Sequence, residues 1–458
     1  MSRSLVDFFR TGPDRDPPIG DRELLDRTYH RYRTRVFWSV TLGYAWFYVA
    51  RVNFSVVKKP LLDEGILTGT EMGLIGSAML GVYAVGKLLN GFLADHANIR
   101  RFMSAALAAS AAVNLVLGFT TWFWAFLVLW ALNGWFQSVG SAPSVVSLSQ
   151  WFSPRELGTR YGLWSVSHSL GEGLSFVVTA AMVSGLGWRW GFWWPGLACL
   201  GVAWVLSRTL ADRPGTLGLP PVSDWRNDHP APPPDPDPPG GDSPSRGSVW
   251  ASQREVLGHP AIWVLGLAGA TMSATRYGVM NWGMLFLQEA KGYSMNQAGS
   301  ILSVYPIAAL AGAGLSGIIS DRLFRSRRNV PALLMGILVT ASLVALVELP
   351  SSGAFVDSAI LVVFGFHMGG LLTYLGGLMA VDLSPKRAAG AAMGVIGAFC
   401  YLGAAVQDTV SGWLVDRGRT VTDGVSSYDF LPLLGFWIGC SVASIALTLL
   451  VWNARPRE

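Results

Sequence analysis

The stretch "LGYAWFYVARVNFSVV" (Leu42–Val57) is apolar and aromatic enough to cross a bilayer, yet it carries Arg51 well inside. An arginine at bilayer depth costs several kcal/mol even on lenient insertion scales, so it must face a cavity or a partner rather than lipid. The segment therefore reads as a membrane-spanning helix with one polar side turned away from lipid.

The rest of the chain agrees. Of its 458 residues, 51% are hydrophobic and 14% charged, with a mean hydropathy of +0.39. A soluble protein would carry about a quarter charged residues. Long continuous apolar runs, rather than alternating segments of about ten residues, argue against a transmembrane β-barrel. Runs of about 17–25 apolar residues predict an all-α membrane protein of twelve transmembrane helices. They lie near 35–57, 72–94, 102–120, 122–148, 158–184, 187–208, 257–289, 296–319, 329–349, 355–380, 388–414 and 429–453.

Charge placement supports that count. With the N-terminus inside, 25 Lys and Arg fall in inside segments and six outside: Lys58, Lys59, Arg189, Lys291, Arg417 and Arg419. The remaining three, Arg51, Lys87 and Arg276, fall within helices. The positive-inside rule then predicts that both termini are cytoplasmic. The net charge of +5 is topology rather than a nucleic-acid footprint, and no nucleic-acid partner is expected. Residues 1–34 lack an apolar region followed by a small-residue cleavage site, so the first helix reads as an uncleaved span. Cys199, Cys400 and Cys440 sit in apolar helices without CxxC spacing, so neither a disulfide framework nor a metal site is expected.

Between the sixth and seventh helices the chain becomes "DHPAPPPDPDPPGGDSPSRGS" (Asp228–Ser248), a composition that forms a linker without a packed core. The expected organisation is a tail at 1–34, a six-helix bundle at 35–208, a Pro-rich linker at 209–256, a second six-helix bundle at 257–453 and a C-terminus at 454–458. The halves repeat. "GFLADHANIRR" (Gly91–Arg101) answers to "GIISDRLFRSRR" (Gly317–Arg328), and "FSPRELGTRYG" (Phe152–Gly162) to "LSPKRAAGAAMG" (Leu383–Gly394). Asp95 and Asp321 are 226 residues apart, Pro154 and Pro385 are 231 apart, and Arg51 and Arg276 are 225 apart. A near-constant offset marks a duplicated unit. Two parallel six-helix repeats describe a major-facilitator transporter, with its site at the midplane between halves. Arg51 and Arg276 then become near-symmetric partners on one cavity.

Arginine presents a fixed fork of donors that matches phosphate, and it stays charged at physiological pH. Two guanidiniums in one desolvated cavity repel unless a dianion lies between them, and a phosphate monoester carries nearly that charge. Pairing with a carboxylate of the same helix is disfavoured, because neither helix has an acidic residue within one turn.

At these residues the chain resembles the organophosphate:phosphate antiporter family of the major facilitator superfamily, whose members include glycerol-3-phosphate and hexose-phosphate transporters and the hexose-phosphate sensor. The resemblance covers nearly the whole chain. Its motifs are "GYAWFYVARVNF" (43–54), "YAVGKLLNGFLAD" (83–95), "LNGWFQSVGSAP" (132–143), "WSVSHSLGEG" (164–173), "RPGTLGLPPVSDW" (213–225), "TRYGVMNWGMLFL" (275–287), "SDRLFRSRRN" (320–329) and "AAGAAMGVIGAFCYLGAAV" (388–406). It implies phosphate binding by Arg51 and Arg276, with Lys87 and His168 adding positive charge and Tyr44, Tyr48, Tyr83, Trp164 and Tyr401 lining the cavity. The residues agree in part: Tyr44, Tyr48 and Arg51 share one helical face, as do Tyr83 and Lys87. Glu172 shares a face with His168 and could hold it protonated or make a proton-sensitive gate, while Asp408 could pair with Lys87 or a cavity arginine, or meet sugar hydroxyls; both are candidate modulators. Asp95, Arg101, Asp321 and Arg322 match the superfamily's loop motif, a conformational element.

The chain departs from the family at Ser141, Ser273 and Gly370, where large aromatic groups are replaced, and near Pro306, where an acidic residue is replaced. The lost bulk implies a roomier cavity, suited to a hexose phosphate. The expected protein is an inner-membrane antiporter that exchanges an organophosphate, a hexose 6-phosphate above others, for inorganic phosphate, needs no cofactor and is not an enzyme. The alternatives are a sugar-phosphate sensor acting on a kinase partner, a glycerol-3-phosphate or phosphoglycerate transporter, and a proton-coupled carrier of a neutral sugar.

Overall fold

The computed structural model describes residues 8–15, 19–228, 258–324, 328–349, 353–383, 389–422 and 425–452. Most of the expected Pro-rich linker and the C-terminus at 454–458 lie outside the described residues. Twelve helical rods account for most of the rest. They are α1 (Arg22–Asp63), α2 (Gly69–Ala94), α3 (Ile99–Leu117), α4 (broken into Phe123–Ser138 and Ser141–Trp151), α5 (Pro154–Leu186) and α6 (Trp190–Thr209), then α7 (Pro260–Glu289), α8 (Met295–Ile318), α9 (Asn329–Glu348), α10 (Ala354–Thr373), α11 (Ala389–Arg417) and α12 (Leu431–Leu450). Single π-helical turns prolong α8 through Leu323 and α10 through Leu378. Eight rods are individually long and apolar enough to cross a membrane: α2, α3, α5 and α8 to α12.

Local chemistry sets where rods begin. Thr68 and Glu71 close a reciprocal capping box on α2, and Ser294 with Gln297 does the same on α8. Pro154 and Pro260 occupy first-turn positions, where a missing N–H costs nothing. The helix α1 is 42 residues long, about 63 Å, so its charged first turns stand clear of its apolar part.

Helices α1 to α6 form one bundle and α7 to α12 the other. The duplication read from the sequence reappears in the packing: α1 meets α5 as α7 meets α11, α2 meets α4 as α8 meets α10, and α3 meets α6 as α9 meets α12. Between bundles, α2 packs on α11 and α5 on α8, again a symmetric pair, with α1 against α7 at the centre. These contacts need small residues. A side chain at Gly69, Gly73 or Gly76 of α2 would run into the backbone or carboxylates of Asp408, Gly412 and Asp416 on α11.

The bundles are not joined evenly along their length. On the face opposite the chain termini, Lys59 pairs with Glu289, and Asp416 accepts from the backbone N–H groups of Gly69 (2.7 Å) and Thr70 (2.7 Å) at the N-terminus of α2. A carboxylate is favoured there by the helix dipole. The ties continue inward to Ser77 with Thr409 (2.6 Å) and to Glu172 with Tyr305. These polar ties join the bundles from the far face to mid-depth.

Residues 210–228, within the expected linker, fold back beneath the first bundle. Asp212 accepts from the backbone N–H of Ile99 (2.9 Å) and from Asn98 (3.1 Å), and Trp225 stacks on Tyr29 at 4.3 Å.

Candidate functional site

Arg51 lies at the centre of the interface between bundles, only 7% exposed. Two tyrosine rings enclose its guanidinium, Tyr48 at 4.7 Å and Tyr83 at 4.6 Å, and it donates to the Tyr277 hydroxyl at 3.4 Å. No carboxylate among the described residues pairs with it. Tyrosine faces attract a cation but do not neutralise it. A buried charge held this way is uncompensated until an anion arrives.

The other expected site residues converge here. On α1, Tyr44 stacks on Trp164 of α5 (4.8 Å) and meets Tyr48 edge-on (5.5 Å), while Tyr48 approaches His168 of α5 (5.6 Å). From α2, Tyr83 meets Tyr401 of α11 (5.1 Å), and the Lys87 ammonium lies over the same Tyr401 ring (5.3 Å). Arg276 on α7 comes from the other bundle, its guanidinium 5.4 Å from the neighbouring Tyr277 ring. Both bundles thus supply cations to one aromatic-walled chamber.

Glu172 departs from the sequence reading. It turns to Arg276, at 3.8 Å, and to the Tyr305 hydroxyl, which donates to it, rather than to His168. Both partners belong to the opposite bundle, and the second carboxylate oxygen has no hydrogen-bond partner. Arg276 therefore has a partial counterion, and Arg51 has no ion pair among the described residues. Among the guanidiniums, the ammonium and the carboxylate of this cluster, Arg51, Arg276 and Lys87 against Glu172 leave a net of two positive charges, the complement of a phosphate dianion.

Asp408 departs too. It pairs neither with Lys87 nor with a cavity arginine; its partner is Lys58, a residue the charge count placed in an outside loop. Lys58 lies on α1 two turns beyond Arg51, 1% exposed, with its ammonium 3.7 Å from the Asp408 carboxylate and 3.4 Å from the centre of the Trp282 ring. Asp408 also accepts from Trp282 Nε1 (2.6 Å) and Asn281 Nδ2 (3.0 Å). Gly76 opposite makes room for that carboxylate, since a Cβ would overlap it. A cavity of ≈ 20 Å³, room for a single water, lies between this pair and Arg51.

Of the departures, Gly370 does not widen the chamber. A Cβ there would strike the Met335 sulfur of α9, so the site of the lost ring is packed. Ser273 is buried as well. The loop-motif residues make contacts within their own halves. Asp95 is exposed at the end of α2, Asp321 pairs with Arg328 at 2.6 Å, Arg101 donates to the Phe8 carbonyl at 2.7 Å, and Arg322 is exposed.

Sequence reasoning missed Lys58, Tyr277, Asn281, Trp282 and Tyr305. A signal was available for three of them. Lys58 is seven residues from Arg51 and so shares its face, and Tyr277 and Asn281 are a further i, i+4 pair. Tyr305 carried none, because its role comes from packing against another bundle.

Comparison with known proteins agrees with this architecture. The Major Facilitator Superfamily profile matches residues 40–407. The chain is 35% identical to the membrane sensor protein UhpC of Salmonella typhimurium, over 88% of this chain and 89% of that protein. It is 32% identical to a glycerol-3-phosphate transporter of Bacillus subtilis (95% and 96% covered) and 31% identical to a probable hexose phosphate transport protein of Chlamydia pneumoniae (98% of each). A bacterial homologue of the human lysosomal transporter Spinster, in an inward-facing occupied conformation, has the same fold at a TM-score of 0.72 with 15% identity, covering 92% of this chain and 97% of that one. The chain is a multi-pass membrane protein of the major facilitator superfamily, a transporter family rather than an enzyme family, and within it belongs to the organophosphate:phosphate antiporter group.

Proposed function

We propose that this protein exchanges an organophosphate, a hexose 6-phosphate above others, for inorganic phosphate across the inner membrane, with both termini cytoplasmic. The observation that carries the reading is Arg51: a buried guanidinium at the seam of two bundles, ringed by tyrosines and lacking any carboxylate among the described residues. A neutral sugar would leave that charge unanswered, which weighs against proton-coupled uptake of a neutral sugar.

Binding and movement follow from the placement of charge. A phosphoryl group entering from the terminal face, where in this reading the bundles part, meets Lys87 and His168, then bridges Arg51 of one bundle and Arg276 of the other. Glu172 holds Arg276 while the chamber is empty and gives way as phosphate takes its place. Bridging draws the bundles together on the terminal face. The far face must then part, which separates Lys58 from Asp408, Lys59 from Glu289, and Asp416 from the start of α2. Without an anion the two cationic walls repel, so the empty carrier crosses slowly and exchange is obligatory. Asp95, Arg101, Asp321 and Arg322 serve the state closed on the terminal face.

Uptake of labelled phosphate into proteoliposomes preloaded with phosphate tests this. Uptake that requires internal phosphate, and is inhibited by glucose 6-phosphate more strongly than by glycerol 3-phosphate, is expected. The UhpC relative is a named sensor, and a sugar-phosphate sensor with a kinase partner is the second reading. Folded protein that binds sugar phosphate yet shows no exchange would establish it.

A further inference from the structure

A second cavity lies outside the transport pathway. It is a groove of ≈ 610 Å³ between the terminal-face halves of α1 and α5. On α1 its residues lie to one side of the Tyr44, Tyr48 and Arg51 face; on α5 they lie away from the Trp164, His168 and Glu172 face. The groove therefore opens sideways toward lipid, not into the central chamber. It ends where α1 and α5 touch, at Ala45 and Gly171.

Its two ends differ in chemistry. At the terminal end three arginines gather round one carboxylate. Arg33 pairs with Glu156 and Arg226 lies 3.3 Å from the same group, while Arg160 rests on the rings of Phe152 (5.1 Å) and Phe37 (5.3 Å). No hydrogen bond or ion pair holds Arg160 among the described residues. Arg33 is 5% exposed, and its Nε has no hydrogen-bond partner. Three positive charges against one negative leave a mouth with two in excess.

Deeper in, the walls are apolar and open: Trp38 is 54% exposed, Leu42 54%, Leu163 49% and Leu170 53%. From Arg33 to Ala45 the groove runs about 18 Å along α1, close to one leaflet of a hydrocarbon core of about 30 Å. Trp38 lines the groove between its arginines and its apolar wall, a placement tryptophan favours at membrane interfaces.

We propose that this groove is a site for one anionic phospholipid of the leaflet on the terminal side, its phosphate held by Arg160, Arg226 and the free edge of Arg33 and its acyl chains laid along Trp38, Leu42 and Leu163. A soluble anion would find the mouth but not use the apolar trough, and a zwitterionic lipid would leave the excess charge unmatched. Arginines clustered at the base of membrane helices recognise anionic headgroups in this way. The inference rests on the membrane location and is independent of the transported substrate.

Native mass spectrometry of the full-length protein, released from detergent with phosphatidylglycerol or phosphatidylcholine added, tests it. Retention of one phosphatidylglycerol is expected over phosphatidylcholine, weakened about fivefold by Arg160→Gln and again by Arg226→Gln. Leu163→Trp, which fills the trough and leaves the arginines, should also release the lipid. Melting in phosphatidylcholine alone shows that each variant is folded. Equal retention of the two lipids, retention unmoved in both arginine variants, or equal competition by the deacylated glycerophosphoglycerol headgroup would overturn the proposal; the last would make the groove a site for a soluble phosphodiester.

Discussion

Replacing Asp408 with asparagine should tip the carrier toward the state open on the far face. In the observed state Lys58 and Asp408 are each 1% exposed, and the pair spans the two bundles. Removing one partner of a buried pair costs about 3–5 kcal/mol, because the other charge is left without compensation. The Trp282 ring stays beneath the ammonium and retains part of the attraction, so the lower end applies. Parting the far face returns Lys58 to water and removes that cost. A bias of about 3 kcal/mol is on the order of 10²-fold in the population open on that face. Ser55 is a suitable reporter, buried beside the small cavity between Arg51 and Lys58. With Cys199, Cys400 and Cys440 replaced by serine, a cysteine at position 55 is labelled by a membrane-impermeant maleimide added on the far side. Labelling should quicken by about that factor in Asp408→Asn. It should fall back toward the parent rate in the double variant Lys58→Met with Asp408→Leu, where an apolar pair replaces the ions. Unchanged or slower labelling in Asp408→Asn, or a double variant more reactive than the single one, would refute the reasoning.

Other perturbations separate the parts of the site. Arg51→Lys keeps the charge but loses the planar fork, and phosphate exchange in proteoliposomes should fall on the order of 10²-fold, as two charge-assisted hydrogen bonds weaken. Glu172→Gln frees Arg276 from its counterion, so equilibrium binding of phosphate should tighten about tenfold while exchange slows, because release now lacks a competitor. Tyr305→Phe, which removes only the hydroxyl that orients Glu172, should shift binding in the same direction by a smaller factor. Gly76→Ala places a methyl group on the Asp408 carboxylate, so maleimide labelling at position 55 should rise as it does in Asp408→Asn, with exchange reduced.

What the sequence shows and what it hides follow one physical line. Hydropathy and the 225-residue offset of Arg51 and Arg276 reach the bundles and the two cations because both are written along single helices. The nine expected substrate contacts also gather around one chamber, since α1, α2 and α5 each present theirs with helical spacing. Interbundle pairing is a different matter. Lys58 reads as a loop lysine beside Lys59, and only the length of α1 and the proximity of Trp282 show it to be buried. Glu172 reads as a partner of His168 because they share a helix face, yet Arg276 and Tyr305 come to it from the other bundle. Gly370 reads as lost bulk in the cavity, but Met335 fills the space.

The central claim is that Arg51 is an uncompensated buried cation awaiting a phosphoryl group. Equilibrium binding of labelled inorganic phosphate to the purified full-length protein and to Arg51→Gln tests it most directly, whether the protein transports or senses. The account predicts saturable binding displaced by glucose 6-phosphate but not by glucose, and lost at least 10²-fold in folded Arg51→Gln. Binding of phosphate to that variant with unchanged affinity would contradict it.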